Sequence, residues 1–402
     1  MKAKILEQIA PIEGIRLGVA ASGERYHDRN DLVVIELSEG TSSVGLFTKN
    51  VFCAAPVTIS RQHLKARRPQ YLVVNAGNAN AGTGEAGVKD AIEICQSLAS
   101  QVNCSIDSVL PFSTGVIGEP LATNLVCEAL GDCLSNLSEN NWTEAGMAIM
   151  TTDTRLKAVS AVIEIDGILT TVTGIAKGSG MIKPDMATML AFVATDSNIP
   201  SHVLQLICKE VADLSFNRIT VDGDTSTNDA LFVMATGACG TKEIEPNTDE
   251  FYEIKAAIGL VCTELAKEIV RDGEGATKFV SITVFGHDEK ERARVAYAVA
   301  ESPLVKTALF ASDANWGRIL AAVGRSVSPS SRLDNIHIDV CGIPLVKNGE
   351  PVVMQGRDSI DRAFLERELD FSIYLNDSTL STTVWTCDFS YDYVRINAEY
   401  RS

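Results

Sequence analysis

The sequence predicts a layered α/β protein of the α+β kind, on three observations. Short runs rich in β-branched and aromatic residues alternate with stretches of helical periodicity. The two kinds follow no strict strand-helix-strand rhythm, which favours helices packed over antiparallel sheets. Asp166-Gly167 and Asn348-Gly349 mark tight turns, because both residue types accept positive φ. With 46% apolar and 22% charged residues over 402 positions, the chain has the balance of a globular protein and the length for two or more lobes.

In chain order, "DLVVIEL", "VGLFT", "YLVVN" and "SVLPFS" read as strands from Asp31 to Ser113. Between the last two lies "VKDAIEICQSLASQV", where Val88, Ala91, Ile92, Cys95, Leu98, Ala99 and Val102 form one stripe at helical spacing. "LATNLVCEALGDCLSNL" repeats that pattern, and "AVIEIDGILTTVT" is a hairpin. Beyond it the sequence predicts a strand from about Thr188, a helix around 201–214, the strand "ALFVMAT", and a long helix from about Asp249 to Arg271. The strand "FVSITVFG" and helices through "EKERARVAYAVA" and "NWGRILAAVG" follow. The tail from "IHIDVCG" reads mostly as strands, with a helix near "DSIDRAFLEREL".

Net charge is −17, which disfavours nucleic acid and anionic membrane as partners and requires any anionic substrate to meet local basic residues. Ten scattered cysteines show no CxxC or zinc spacing, as in a reducing compartment. The start lacks the apolar segment of a secretory signal, and no run reaches the ~20 apolar residues of a membrane-spanning helix. A cytoplasmic location is expected.

Five histidines stand in no recognisable pairing with a serine or cysteine nucleophile, and neither a phosphate loop nor HExxH is present. "TVDGDTSTND" lacks calcium-loop spacing and reads as a hydrogen-bonded turn network, and no metal is expected. Attention falls on "KGSGMIKPDMATML", where a glycine-rich charged loop meets an apolar run at Ala187-Thr188. A threonine hydroxyl becomes a competent nucleophile when its own α-amine is freed beside it, since that amine titrates near about 7.7–8.0. Gly178 and Gly180 allow the backbone to distort for attack of Thr188 Oγ on the Ala187 carbonyl. The plain alternative is that Thr188 merely opens a buried strand.

The loop resembles the self-cleavage segment of the glutamate N-acetyltransferase family, also called ornithine acetyltransferases. "NAGNANAGTG", "PFSTGVIGEPL", "MTTDT", "FNRITVDGDTSTND", "ASDANWGRI" and "INAEYRS" are similar to the family in its own order, over nearly the whole chain. The resemblance implies an α/β sandwich shared with self-processing aminopeptidases and a smaller C-terminal lobe from about residue 280. It implies autocleavage at Ala187-Thr188 into an α chain, 1–187, and a β chain, 188–402, that stay together as an α2β2 heterotetramer.

By the same resemblance Thr188 carries acetyl from N-acetylornithine to glutamate in a ping-pong transfer without bound cofactor, and acetyl-CoA is a candidate co-substrate. Thr114 and Gly115 form the oxyanion hole. Thr151, Thr152, Lys177, Thr188, Glu274, Asn397 and the C-terminal Ser402 contact substrate. Lys177 suits a carboxylate and lowers the amine pKa of Thr188, and Glu274 suits an ammonium. Ser402 stands where the family commonly has threonine, and keeps the hydroxyl. Which of Thr151 and Thr152 faces the substrate stays open. The competing readings are an amidohydrolase or aminopeptidase with the same nucleophile and an uncleaved metabolite-binding protein.

Overall fold

The computed structural model describes residues 3–183, 189–328, 335–352 and 358–399, and statements of structure below concern these. Ala187, Thr188 and Ser402 lie outside them. Two compact units emerge, one holding the described chain up to Asn217 with Asp224–Ile269, the other Arg218–Gly223 and the described residues from Val270 to 399.

The first unit contains two sheets. One has the strand order Lys4–Ile5, Lys157–Ile165, Ile168–Lys177, Leu190–Thr195, Ala230–Ala235, Ser42–Phe47; the other runs Ile15–Ala20, Leu32–Leu37, Tyr71–Asn78, Val109–Val116. Their facing side chains share one core. Phe112 from the smaller sheet packs edge-on against Phe192 and Phe232 of the larger, with ring centroids 5.2 and 5.9 Å away. Helices cover the outer faces. Gly84–Val102 and Thr123–Ser135 lie on the smaller sheet, and Val261 and Leu265 of helix Asp249–Arg271 close over Gly174 of the larger.

The layered α/β class is therefore the observed one, but the sheets are mixed rather than antiparallel. Leu190–Thr195 pairs parallel with Ala230–Ala235, and Tyr71–Asn78 with Val109–Val116. Each pair is joined through a helix, Ser201–Leu214 or Gly84–Val102, the long crossover that parallel pairing requires. Pro111 is tolerated inside Val109–Val116 because that strand is a sheet edge. The Asp166-Gly167 hairpin forms with φ of 52° and 78°.

In helix Gly84–Val102 the buried stripe is Ala91, Ile94, Cys95, Leu98 and Ala99; Ile92, assigned to it from spacing, is 38% exposed. The strand Ile15–Ala20 and the helices Ala55–Ala66, Trp142–Ala148, Pro303–Phe310 and Tyr391–Glu399 have no counterpart in the sequence reading. Several are short, so few turns exist in which a period can show.

The second unit has one sheet, ordered Ile219–Thr220, Ser381–Cys387, Phe279–Phe285, Glu368–Tyr374, His337–Val340, Ile343–Lys347, Glu350–Pro351. Helices Glu289–Ala300 and Trp316–Gly324 bury Val295, Val299, Ile319 and Val323 against it.

Candidate active site

Lys177 ends the strand Ile168–Lys177, and its ammonium is the hub of the site in the first unit. Nζ donates to Thr114 Oγ1 at 3.1 Å and to Thr151 Oγ1 at 2.8 Å, and lies 4.0 Å from Asp153 Oδ2. Thr114 comes from the edge strand of the other sheet, so the loop after helix Trp142–Ala148 and both sheets converge here. Because Lys177 fills a lone pair of Thr114, the threonine's own O–H is left to donate elsewhere, and polarisation makes it the stronger donor.

Gly115 follows with φ +133°, in the region glycine favours. A Cβ there would lie 2.2 Å from the carbonyl carbon of Gly77 on the parallel neighbour. The backbone of Thr114-Gly115 is thus pinned against the next strand, as a fixed donor pair needs. Behind it, Ser113 Oγ donates to Asn75 Oδ1 at 2.5 Å, and Asn228 Nδ2 donates to the carbonyls of Ser113 and Ala79 at 2.8 and 2.6 Å. Asn228 belongs to "TVDGDTSTND", which forms a hydrogen-bonded network: Thr225 Oγ1 donates to Lys183 O, and Thr48 Oγ1 to Ser226 O.

The two candidate threonines differ. Thr151 takes the hydrogen bond from Lys177, whereas Thr152 is engaged with Ser179 Oγ at 2.7 Å.

Beneath them Asp153 accepts from Lys157 Nζ at 2.6 Å, Gly178 N at 2.7 Å and Thr151 N at 3.0 Å. Burial alone would raise the Asp153 carboxyl, but the ammoniums of Lys177 and Lys157 and the Gly178 N–H outweigh it and hold the group below the ordinary carboxylate range. On the other side stands Asp229, also buried. Burial pushes its carboxyl well up, against hydrogen bonds from Ser226, the charge of Lys177 and the N–H of Met189. Its Oδ2 has no hydrogen-bond partner among the described residues. Neither Asp153, Lys157 nor Asp229 was singled out from sequence. A signal existed for Lys157: it shares the inward face of Lys157–Ile165 with Val159, Ala161 and Ile163.

Thr114, Lys177, Gly178, Met189, Asn228 and Asp229 help line a cavity of about 40 Å³, the volume of a small acyl group or a water. Met189 follows Thr188 in the chain.

In the second unit Asn397, on the helix Tyr391–Glu399, donates from Nδ2 to Glu274 Oε2 at 2.8 Å. Gly275 has φ +66°, and Ser390 Oγ donates to its carbonyl at 2.6 Å, which ties the Glu274 turn to that helix. Glu274 is buried and Asn397 exposed. Trp316 is 37% exposed at the start of its helix.

Residues 16–402 match the ArgJ family. The chain is 48% identical over 398 residues to the arginine biosynthesis bifunctional protein ArgJ of Psychrobacter arcticus, with 98% of each chain covered. It is 46% identical over 399 residues to the protein of the same name from Pseudomonas syringae pv. tomato, covering 99% of this chain and 98% of that one. Among solved structures, the arginine biosynthesis bifunctional protein argJ of Bacillus halodurans is 40% identical, with a TM-score of 0.50, and covers 53% of this chain and 100% of its own.

Proposed function

The chain belongs to the ArgJ family, and from that premise we propose that it is a self-cleaving glutamate N-acetyltransferase that moves acetyl from N-acetylornithine to glutamate through Thr188. It is an acyltransferase of arginine biosynthesis. The observation that carries the finer reading is Lys177: one ammonium bonded to both Thr114 and Thr151, on the wall of a cavity that includes the residue after Thr188.

Maturation begins when Thr188 Oγ attacks the carbonyl of Ala187, the C–N bond breaks and the nitrogen takes a proton; water then cleaves the ester. The freed α-amine serves as base. In transfer, Thr188 Oγ attacks the acetyl carbonyl of N-acetylornithine, and the oxyanion is met by the Thr114 hydroxyl and the Gly115 N–H. The departing amine takes the proton held by the α-amine and leaves as ornithine. Glutamate attacks the acetyl-Thr188 ester in the reverse sense. Lys177 offers a point charge to a substrate carboxylate, and its departure from Thr151 would leave that hydroxyl free for the substrate. Glu274 and Asn397, paired in the second unit, and Ser402 are assigned to the substrate's polar groups, with Glu274 suited to an ammonium.

No metal or bound cofactor enters this scheme. Acetyl-CoA is proposed as an alternative donor, which the word bifunctional in the relatives' names favours. Cleavage gives products 1–187 and 188–402; the Bacillus halodurans chain, covered completely, spans the same share of this sequence as the second product. Two copies of each are proposed to assemble as α2β2 in the cytoplasm.

The test is to incubate the protein with N-acetylornithine and glutamate and measure N-acetylglutamate, beside Thr188→Ala. Transfer in the wild type and none in the variant is expected. Release of acetate without N-acetylglutamate would instead establish a hydrolase, and an inert, uncleaved chain would establish a binding protein.

A further inference from the structure

Away from the Lys177 site, the first unit carries a groove of about 660 Å³, within the range of small-ligand pockets. Arg61, Lys65, Arg67, Arg68 and His202 line it, and no carboxylate does. In a chain with net charge −17, that concentration of basic groups is the reverse of the average surface. Its floor is the edge strand Ser42–Phe47, with Phe47 and Leu64 apolar. Arg61 is fixed there: its guanidinium donates to Thr48 O and lies over the Phe47 ring, 5.6 Å from the centroid.

The fold accounts for only part of this charge. Lys65 sits in the last turn of helix Ala55–Ala66, where a cation complements the negative end of the helix dipole. Arg67 and Arg68 lie beyond that helix and share the groove with Ser201 and His202, the first turn of helix Ser201–Leu214. That end is the positive one, and no side chain caps it. Cations beside an uncapped helix N-terminus repel the dipole unless an anion stands between them. Lys65, Arg67 and Arg68 make no ion pair among the described residues and are exposed, so they are available to supply one side of such a site.

We propose that this groove is a second ligand site, for a small phosphorylated anion bearing two or more phosphate groups: phosphates held by Arg67, Arg68, Lys65 and the first turn at Ser201, any apolar part resting on Phe47 and Leu64. Arginine's planar fork suits phosphate oxygens, and the groove is larger than a single phosphate needs. The site is independent of the Thr188 reading and stands whichever way that reading is decided.

The experiment is calorimetric titration of the full chain at fixed ionic strength with pyrophosphate, inorganic phosphate and ATP in separate arms. Pyrophosphate is expected to bind saturably, one per chain, and more tightly than phosphate. Arg67→Ala/Arg68→Ala is expected to weaken it about tenfold, a loss of ~1.4 kcal/mol. Lys347→Ala, an exposed cation in the second unit, is the control and leaves binding unchanged. Tighter binding of ATP than pyrophosphate assigns the apolar floor to a nucleoside; equal binding assigns the phosphates alone. Absence of saturable binding, or equal weakening by the control, overturns the site. Lys65→Ala provides a second, milder variant should the double variant not fold.

Discussion

Lys177 stands between two buried carboxyls that share a residue type and differ in everything that decides charge. Asp153 has two ammoniums, two backbone N–H donors and no exposed side-chain surface; Asp229 has one ammonium, hydrogen bonds from Ser226 and the Met189 N–H, and one oxygen without a hydrogen-bond partner among the described residues. Burial penalises the ionised form of both. The donors reverse the outcome for Asp153 alone. The difference teaches that the balance follows the ammoniums beside each carboxyl: Lys177 and Lys157 hold Asp153 toward the anion, and burial tilts Asp229, with Lys177 alone, toward the neutral acid.

The comparison breaks most visibly at Asp153. Asp153→Asn leaves Lys157, whose side chain has no exposed surface, without its anion, and is expected to cost about 3–5 kcal/mol in urea unfolding. A loss below 1 kcal/mol would mean the pair is not ionised. Removing both partners, in Asp153→Asn/Lys157→Met, is expected to recover most of that loss, because the fully buried Lys157 charge is gone and an apolar side chain fills its space.

Acid separates the two carboxyls by sign. Asp153 has a depressed pKa in the folded state, so its contribution is present above the unfolded value near ~3.9 and is lost as pH falls through the lower, folded one. Asp229 has a raised pKa, so its contribution is fully present below ~3.9 and is lost as pH rises through the folded value. The wild-type advantage over Asp153→Asn should therefore shrink on acidification, and that over Asp229→Asn should shrink as pH rises. Matching slopes would erase the distinction.

The last prediction is one of sign, for Asp229→Asn at neutral pH: the amide needs no proton to stay neutral when buried, so the variant is expected to be at least as stable as the wild type. A loss of several kcal/mol would show that Asp229 is ionised in place.

Much of the layered fold was legible. Periodicity located Ser201–Leu214 and Asp249–Arg271 to their ends, and Asp166-Gly167 announced its hairpin. Pairing direction was not legible, since local pattern does not say which strands meet, and the parallel partners lie about a helix apart in sequence. Around the site, it was the family resemblance, not residue type alone, that indicated Thr114, Gly115 and Lys177. Asp153 and Asp229 sat inside quoted motifs without being read. Their roles come from burial and from donors brought by other strands and loops, which neighbours in sequence cannot reveal. The groove's "KARRP" run is visible as charge and the helix start at Ser201 as periodicity, but that the two meet is not.

The central claim is that Thr188 is both the cleavage residue and the acetyl carrier. Denaturing mass spectrometry of the protein, before and after incubation with N-acetylornithine alone, tests it most directly. The account predicts two chains, 1–187 and 188–402, with the second gaining one acetyl group at Thr188 and losing it when glutamate is added. A single intact chain, or an acetyl group on any other residue, would contradict it.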